Sequence, residues 1–176
     1  MDNNGIQFTK INKNTYNVEF TINNNFINLP KLIDFPIIKL IFDLNQDIYE
    51  NTDLKIINNN EANIFILLKH FFEDVGLNQK YFCLQIKKTN SINEIIFTCN
   101  TIKDYNRIDF PKEVELINVN DLYCKCNFIS QNIVNFKITI VVDEISHLPQ
   151  YIEKMIKIIF NKIITRVKQF IENLRM

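Results

Sequence analysis

The groups in this chain that could do chemistry are four cysteines (Cys83, Cys99, Cys124 and Cys126), two histidines (His70 and His147) and three close carboxylate pairs. Cys124-x-Cys126 is the tightest motif among them, since thiols two residues apart on a strand point to the same face and could ligate one ion together. A structural zinc site needs four ligands, and no second pair at a metal-binding spacing accompanies this one. Leu122 and Phe128 fall on the same face, so both thiols read as small core residues. Cysteine-nucleophile chemistry needs a histidine held against the thiol and a third group to orient it, and no local pattern ties either histidine to a cysteine. Asp43 and Asp47 at i,i+4, Glu73-Asp74 and Asp143-Glu144 supply the carboxylate pairs, but each falls where a helix end or a polar helix face uses it. A chain whose glycines are Gly5 and Gly76 cannot build a glycine-rich phosphate loop or a nucleophile elbow. No catalytic residue, metal ligand or cofactor is expected, and a non-enzyme is favoured over an enzyme.

Charge is placed unevenly. Residues 148–176 hold six basic residues against Glu153 and Glu172, a local excess of four positive charges in a chain whose formal net charge is zero. Lys154, Lys157, Lys168 and Arg175 lie within about 60° of one another on an ideal helix wheel and form a candidate basic interaction face. Such a face could grip an acidic protein, RNA or an anionic membrane surface, and it is equally the ordinary solvated side of a packed helix. The opposite side of the same wheel carries Ile152, Ile156, Ile159, Ile163, Val167, Phe170 and Leu174 in a narrow arc. Ser146 as cap and Pro149 in the first turn predict a long amphipathic helix over Leu148–Leu174.

The elements that must position these residues follow from hydrophobic periodicity. Tyr16, Val18, Phe20 and Ile22 alternate with polar residues, and Asn12-Lys13-Asn14 supplies a turn, so Ile6–Ile22 predicts a β-hairpin. Asp34 as cap, Pro36 and the helical spacing of Ile37, Leu40, Ile41, Leu44 and Ile48 predict a helix over 35–49. Asp53–Ile57 suits a short strand. Asn60 as cap, the stripe Ile64, Leu68, Phe71 and Val75, and Gly76 as a left-handed stop predict a second helix over 60–75. The period then switches to two: Tyr81–Lys87, Glu94–Ile102, Glu113–Val119, Leu122–Ile129 and Ile133–Val142 read as strands, with Thr101–Lys112 as a loop. No linker or internal repeat divides the chain, so residues 1–176 are expected to form a single α+β domain.

Ile and Asn are heavily used and Ala occurs once, at Ala62, a bias that follows A/T-rich codons and suggests a genome such as that of a large DNA virus, an amoeba or a parasite. No signal-peptide pattern, no apolar run long enough to span a bilayer and no Asn-x-Ser/Thr sequon is found, and the cysteines lack a disulfide-framework spacing. A cytoplasmic setting is expected, in a host cytoplasm or virion if the protein is viral.

The order of a hairpin, two helices, an antiparallel strand meander and one long C-terminal helix resembles the helix-grip arrangement of START-like and Bet v 1-like domains. That resemblance implies an antiparallel sheet wrapped around the last helix, often with an apolar cavity between them, and the helical stripe of Ile152, Ile156, Ile159 and Ile163 would line such a cavity. Three functions are weighed. The missing chemistry favours a non-enzymatic interaction or scaffold domain acting through protein contacts or self-association. A cavity would make the chain a carrier or sensor of an apolar small molecule. The basic helix face would suit a nucleic-acid-associated factor, although no known reading module accompanies it.

Overall fold

The computed structural model describes residues 5–71, 73–102, 114–142 and 150–175, without the side chains of 75, 142, 150–153 and 156. The described residues build a nine-stranded sheet and three α-helices. A hairpin of β1 (Gln7–Lys10) and β2 (Thr15–Asn23) comes first, then two short helices, α1 (Leu29–Leu32) and α2 (Pro36–Asp43). A meander of β3 (Tyr49–Asn58), β4 (Glu61–Leu68), β5 (Gln79–Asn90) and β6 (Glu94–Thr101) follows. β7 (Val114–Leu116), β8 (Val119–Ser130), β9 (Ile133–Val142) and α3 (Gln150–Asn173) complete it. The strand order is β1-β2-β9-β8-β6-β5-β4-β3, antiparallel throughout, while β7 runs parallel to β5 at one end.

Pairing of β2 with β9 closes the path between the N-terminal hairpin and the C-terminal strands, over a register running from Thr15 opposite Val141 to Asn23 opposite Ile133. That register puts Val18, Phe20 and Ile22 beside Ile138, Phe136 and Val134 on one face, where the rings of Phe20 and Phe136 stack at 4.8 Å. The same face continues through Cys126, Ile95, Phe97, Ile86, Ala62 and Ile64, and Ile164, Val167 and Ile171 of α3 join it in one buried cluster. Each large apolar side chain fully withdrawn from water there contributes about 1.5–3 kcal/mol. This inner face is the core of the fold.

The hairpin, the strand meander and the long C-terminal helix agree with expectation, and the architecture is the expected antiparallel sheet with a C-terminal helix. The predicted helix over 60–75 is wrong: Glu61–Leu68 is β4, an interior strand between β3 and β5. An apolar run from Ile64 to Leu68 satisfies a helical stripe and a two-sided strand equally well, and pairing on both sides lets Ile64 and Phe65 bury opposite faces. Gly76 does take the left-handed conformation, with φ of 70°, closing a short 3-10 turn over Glu73–Val75.

The predicted helix over 35–49 is half as long. α2 stops at Asp43, and fully buried Asn45 closes it by donating from its side chain to Ile41 O at 2.8 Å. The released chain enters the sheet at Tyr49, so the short strand expected at Asp53–Ile57 is a full edge strand. Asp34 does not cap through its own position; the N-cap is Phe35, without a side-chain cap bond, and α1 is an additional helix capped by Asn28. The expected loop beyond Ile102, Asp143-Glu144, Ser146, His147 and Pro149 lie outside the described residues.

Candidate functional site

The inner face is not uniformly sealed. Phe20, Phe136, Cys126 and Ile95 form a cross-strand row that is buried, as are Val134 and Ile22 beside it. On the same face Phe8, Ile66, Phe82, Leu122, Cys124 and Ile138 pack against the core yet remain only half-buried. An apolar inner wall that keeps part of its surface uncovered offers a non-directional, water-excluding contact, the chemistry that suits an aliphatic or aromatic molecule.

α3 meets this face with its C-terminal half. Ile164, Val167 and Ile171 are buried, whereas Met155, Ile158 and Phe170 stand exposed and Ile159 and Ile163 are half-buried. The buried arc is thus rotated towards Ile164 and Ile171 from the stripe drawn on the sequence, because isoleucines surround much of the helix and the wheel alone leaves its centre undetermined. Ile152 and Ile156 belong to α3, but their side chains are outside the described part.

The C-terminal half is also tied by polar groups. Buried Asn24 donates from Nδ2 to the carbonyls of Ile171 at 2.5 Å and Leu174 at 2.9 Å, satisfying the end of the helix. Asp47 accepts from Arg166 and, at 2.6 Å, from Lys162, and these two cations hold its carboxyl well below the usual carboxylate range. Hydrogen bonding from Arg166 is the largest cause of that shift. The Asp43/Asp47 pair is therefore divided, with Asp43 ending α2 and Asp47 clamping α3.

The four residues of the basic face have separate surroundings. Lys168 donates to Thr21 O and to Glu172, Lys157 places its ammonium 5.7 Å from the centre of the Phe8 ring, and Arg175 lies 5.6 Å from that of Phe26. Lys154 is exposed. The contact of Lys157 with Phe8 also sets the first half of α3 over the β1 edge of the sheet.

All four thiols are free and lie in strands. Burial pushes Cys83 up to about 11 and Cys99 to about 12, and a hydrogen bond with Cys124 together with burial raises Cys126 further. Cys124 and Cys126 share a face, with sulfurs 4.0 Å apart, and among the described residues no group of three or more His, Cys, Asp or Glu gathers around an ion site. His70 sits after β4, where its Nε2 bonds Leu77 O at 2.6 Å, and Glu73-Asp74 occupy the exposed 3-10 turn.

One polar feature of the inner face went unpredicted. Lys88 follows Leu84 and Ile86 in strand alternation, is 8% exposed, and donates to Asp34 at 2.6 Å while its ammonium lies 5.1 Å from the Phe35 ring. The pair fixes the α1–α2 connection against the sheet, and Phe35 meets Phe97 edge-on at 6.0 Å. Period-two spacing could have placed Lys88 on the apolar face of β5. Outside this core, an open groove of about 800 Å³ runs between the α2–β3 connection and α3, lined by Leu44, Asp47, Arg166, Phe170 and Leu174 among others.

A long C-terminal helix laid on a continuous antiparallel sheet, with two short helices between hairpin and meander, defines the helix-grip class of domain. Within it the chain is similar to the human StarD13 lipid transfer and protein localization domain, at TM-score 0.70 and 9% identity, over 96% of this chain and 84% of that one. Human STARD10 follows at 0.68 and 9% identity over 95% and 73%, and a STAR-related lipid transfer protein from Xanthomonas axonopodis at 0.62 and 6% identity over 95% and 98%. At such identities the likeness is one of fold. No sequence-family model and no curated protein sequence matches the chain. Among the described residues no helix is long and apolar enough to cross a membrane.

Proposed function

We propose that this chain is a carrier or sensor of an apolar small molecule, held between the inner face of the sheet and the first half of α3. The observation that carries the reading is the set of half-buried apolar side chains on that face, Phe8, Leu122, Ile138, Ile66 and Phe82 among them, in a fold shared with lipid transfer domains. Half-buried Ile159 and Ile163 supply the opposing wall, and binding is driven by the apolar area removed from water. The interaction-domain and nucleic-acid expectations rank below it, since three of the four basic side chains are engaged with rings, a carboxylate or a backbone carbonyl. A reducing cytoplasmic setting belongs to the same reading, in keeping with four free cysteines.

The test is a fluorescence titration with an environment-sensitive fatty-acid probe. Saturable uptake of one probe per chain, reduced about tenfold or more by Ile163→Asp at unchanged folding, is expected from placing a charge in an apolar wall. Uptake that is absent, or indifferent to Ile163→Asp and to Ile138→Asp, would overturn the reading.

A further inference from the structure

Five of the nine large apolar side chains that stand exposed among the described residues gather at one end of the molecule. They are Phe26 at 62%, Ile56 at 51%, Ile57 at 48%, Ile92 at 96% and Ile129 at 66%. Strand directions and backbone bonds put them together. The β8–β9 turn is bonded to the β2–α1 connection through Asn24 N to Asn132 O at 3.0 Å and Leu29 N to Gln131 O at 2.8 Å. The β5–β6 turn is joined to β8 by Phe128 N to Asn93 O at 2.8 Å, and the β3–β4 turn to β5 by Lys88 N to Asn60 O at 2.8 Å. The tips of three hairpins and the β2–α1 connection therefore share the end at which α3 terminates.

Those tips are bordered by cations. Lys31 and Lys55 are exposed there, Arg175 lies against the Phe26 ring, and Lys87, with 57% of its side chain exposed, pairs with Glu61 at 3.9 Å. The other carboxylates of that end, Asp34, Glu94 and Glu172, are already held by Lys88, Lys125 and Lys168. Net positive charge around protruding aliphatic and aromatic side chains matches the interface of an anionic bilayer, where lipid phosphates meet the cations and the tips enter the acyl boundary. Separate tips on different turns suit a fluid surface that moulds around each of them, whereas a folded protein partner needs a contiguous packed patch.

We propose that this end of the chain is a membrane-docking surface for anionic lipid, in which Phe26, Ile92, Ile129 and the Ile56-Ile57 pair insert and Lys31, Lys55 and Lys87 bind headgroups. The surface is distinct from the apolar wall proposed above for a small molecule and does not require a ligand to be bound there.

Flotation of the intact chain with vesicles of phosphatidylcholine, with and without phosphatidylserine, tests it. Salt-sensitive binding confined to the phosphatidylserine vesicles is expected, weakened about tenfold by each of Ile92→Asp and Ile129→Asp and strongly by Lys31→Glu combined with Lys55→Glu. All four positions are exposed, so these variants should melt as the parent does. The chain has no tryptophan, so Ile92→Trp reports insertion directly through a blue shift of emission on the same vesicles. Absence of binding at low salt, binding indifferent to these substitutions, or unshifted emission overturns the proposal. So does vesicle-independent self-association lost in Ile92→Asp and Ile129→Asp, which would make a second copy the occupant. Retained probe uptake by the tip variants separates a failure here from a failure of the carrier reading.

Discussion

The two halves of α3 are both rich in isoleucine and lysine and are packed differently. From Ile164 onwards the helix buries Ile164, Val167 and Ile171, its terminal carbonyls accept from Asn24, and Arg166 clamps Asp47 together with Lys162 at the boundary between the halves. Before that point Met155 and Ile158 are exposed and Ile159 and Ile163 are half-buried, over an inner face that keeps half-buried residues of its own. Apolar content alone does not distinguish a structural wall from a binding wall; what does is whether the facing surface and the polar ends are satisfied. Stability should therefore concentrate in the second half and accommodation in the first.

The largest break in that comparison is Ile171→Ala, which removes a side chain only 1% exposed and should cost about 2–5 kcal/mol in urea unfolding. Ile159→Ala, made at a half-buried position, should cost less than about 1 kcal/mol, and equal losses would erase the contrast. Next comes Asn24→Ala, which leaves the carbonyls of Ile171 and Leu174 without their donor and should cost about 1–3 kcal/mol. Asn24→Asp should not restore it, because a carboxylate cannot donate to them.

A smaller effect separates the members of the Asp34–Lys88 pair. Asp34→Ala strands an ammonium whose side chain is 6% exposed, while Lys88→Met removes the charge and keeps the stem, so Asp34→Ala should be the more destabilising by about 1–2 kcal/mol. Reversal of that order in thermal melts would show that Lys88 is held by Phe35 rather than by the carboxylate.

The smallest expected effect is at Asp47. Its carboxyl is depressed in the folded chain, so its stabilising contribution is present above the unfolded value near 4 and is lost as pH falls below that. The side chain is 47% exposed, so the contribution should stay under about 1 kcal/mol. Asp47→Asn should flatten the acid limb of the stability profile by that amount and leave stability at pH 7 lower by as much. An unchanged acid limb would show that the clamp is screened away.

Particular residues explain what was legible in the sequence. Ile133–Val142 has strict alternation, and one wet face makes period two unambiguous; the hairpin and α3 follow from equally clear patterns. Glu61–Leu68 was misread because an interior strand buried on both faces loses its alternation, leaving Ile64–Leu68 as a run compatible with either period. α2 ends early through the side chain of Asn45, and α3 is anchored through that of Asn24, and a chain rich in asparagine offers no local sign of which ones are buried. Of the proposed wall, Ile159 and Ile163 lie on the stripe that helical spacing predicts, but Phe8, Leu122 and Ile138 come from three strands and meet only through the pairing of β1, β2, β9 and β8. Residues brought together by long-range register leave no spacing to detect.

Native mass spectrometry of freshly purified chain tests the central claim most directly. A fraction of the protein carrying one apolar small molecule per chain, released on denaturation and reduced in Ile163→Asp, is predicted. A bare chain that remains bare after incubation with a cell lipid extract would contradict it.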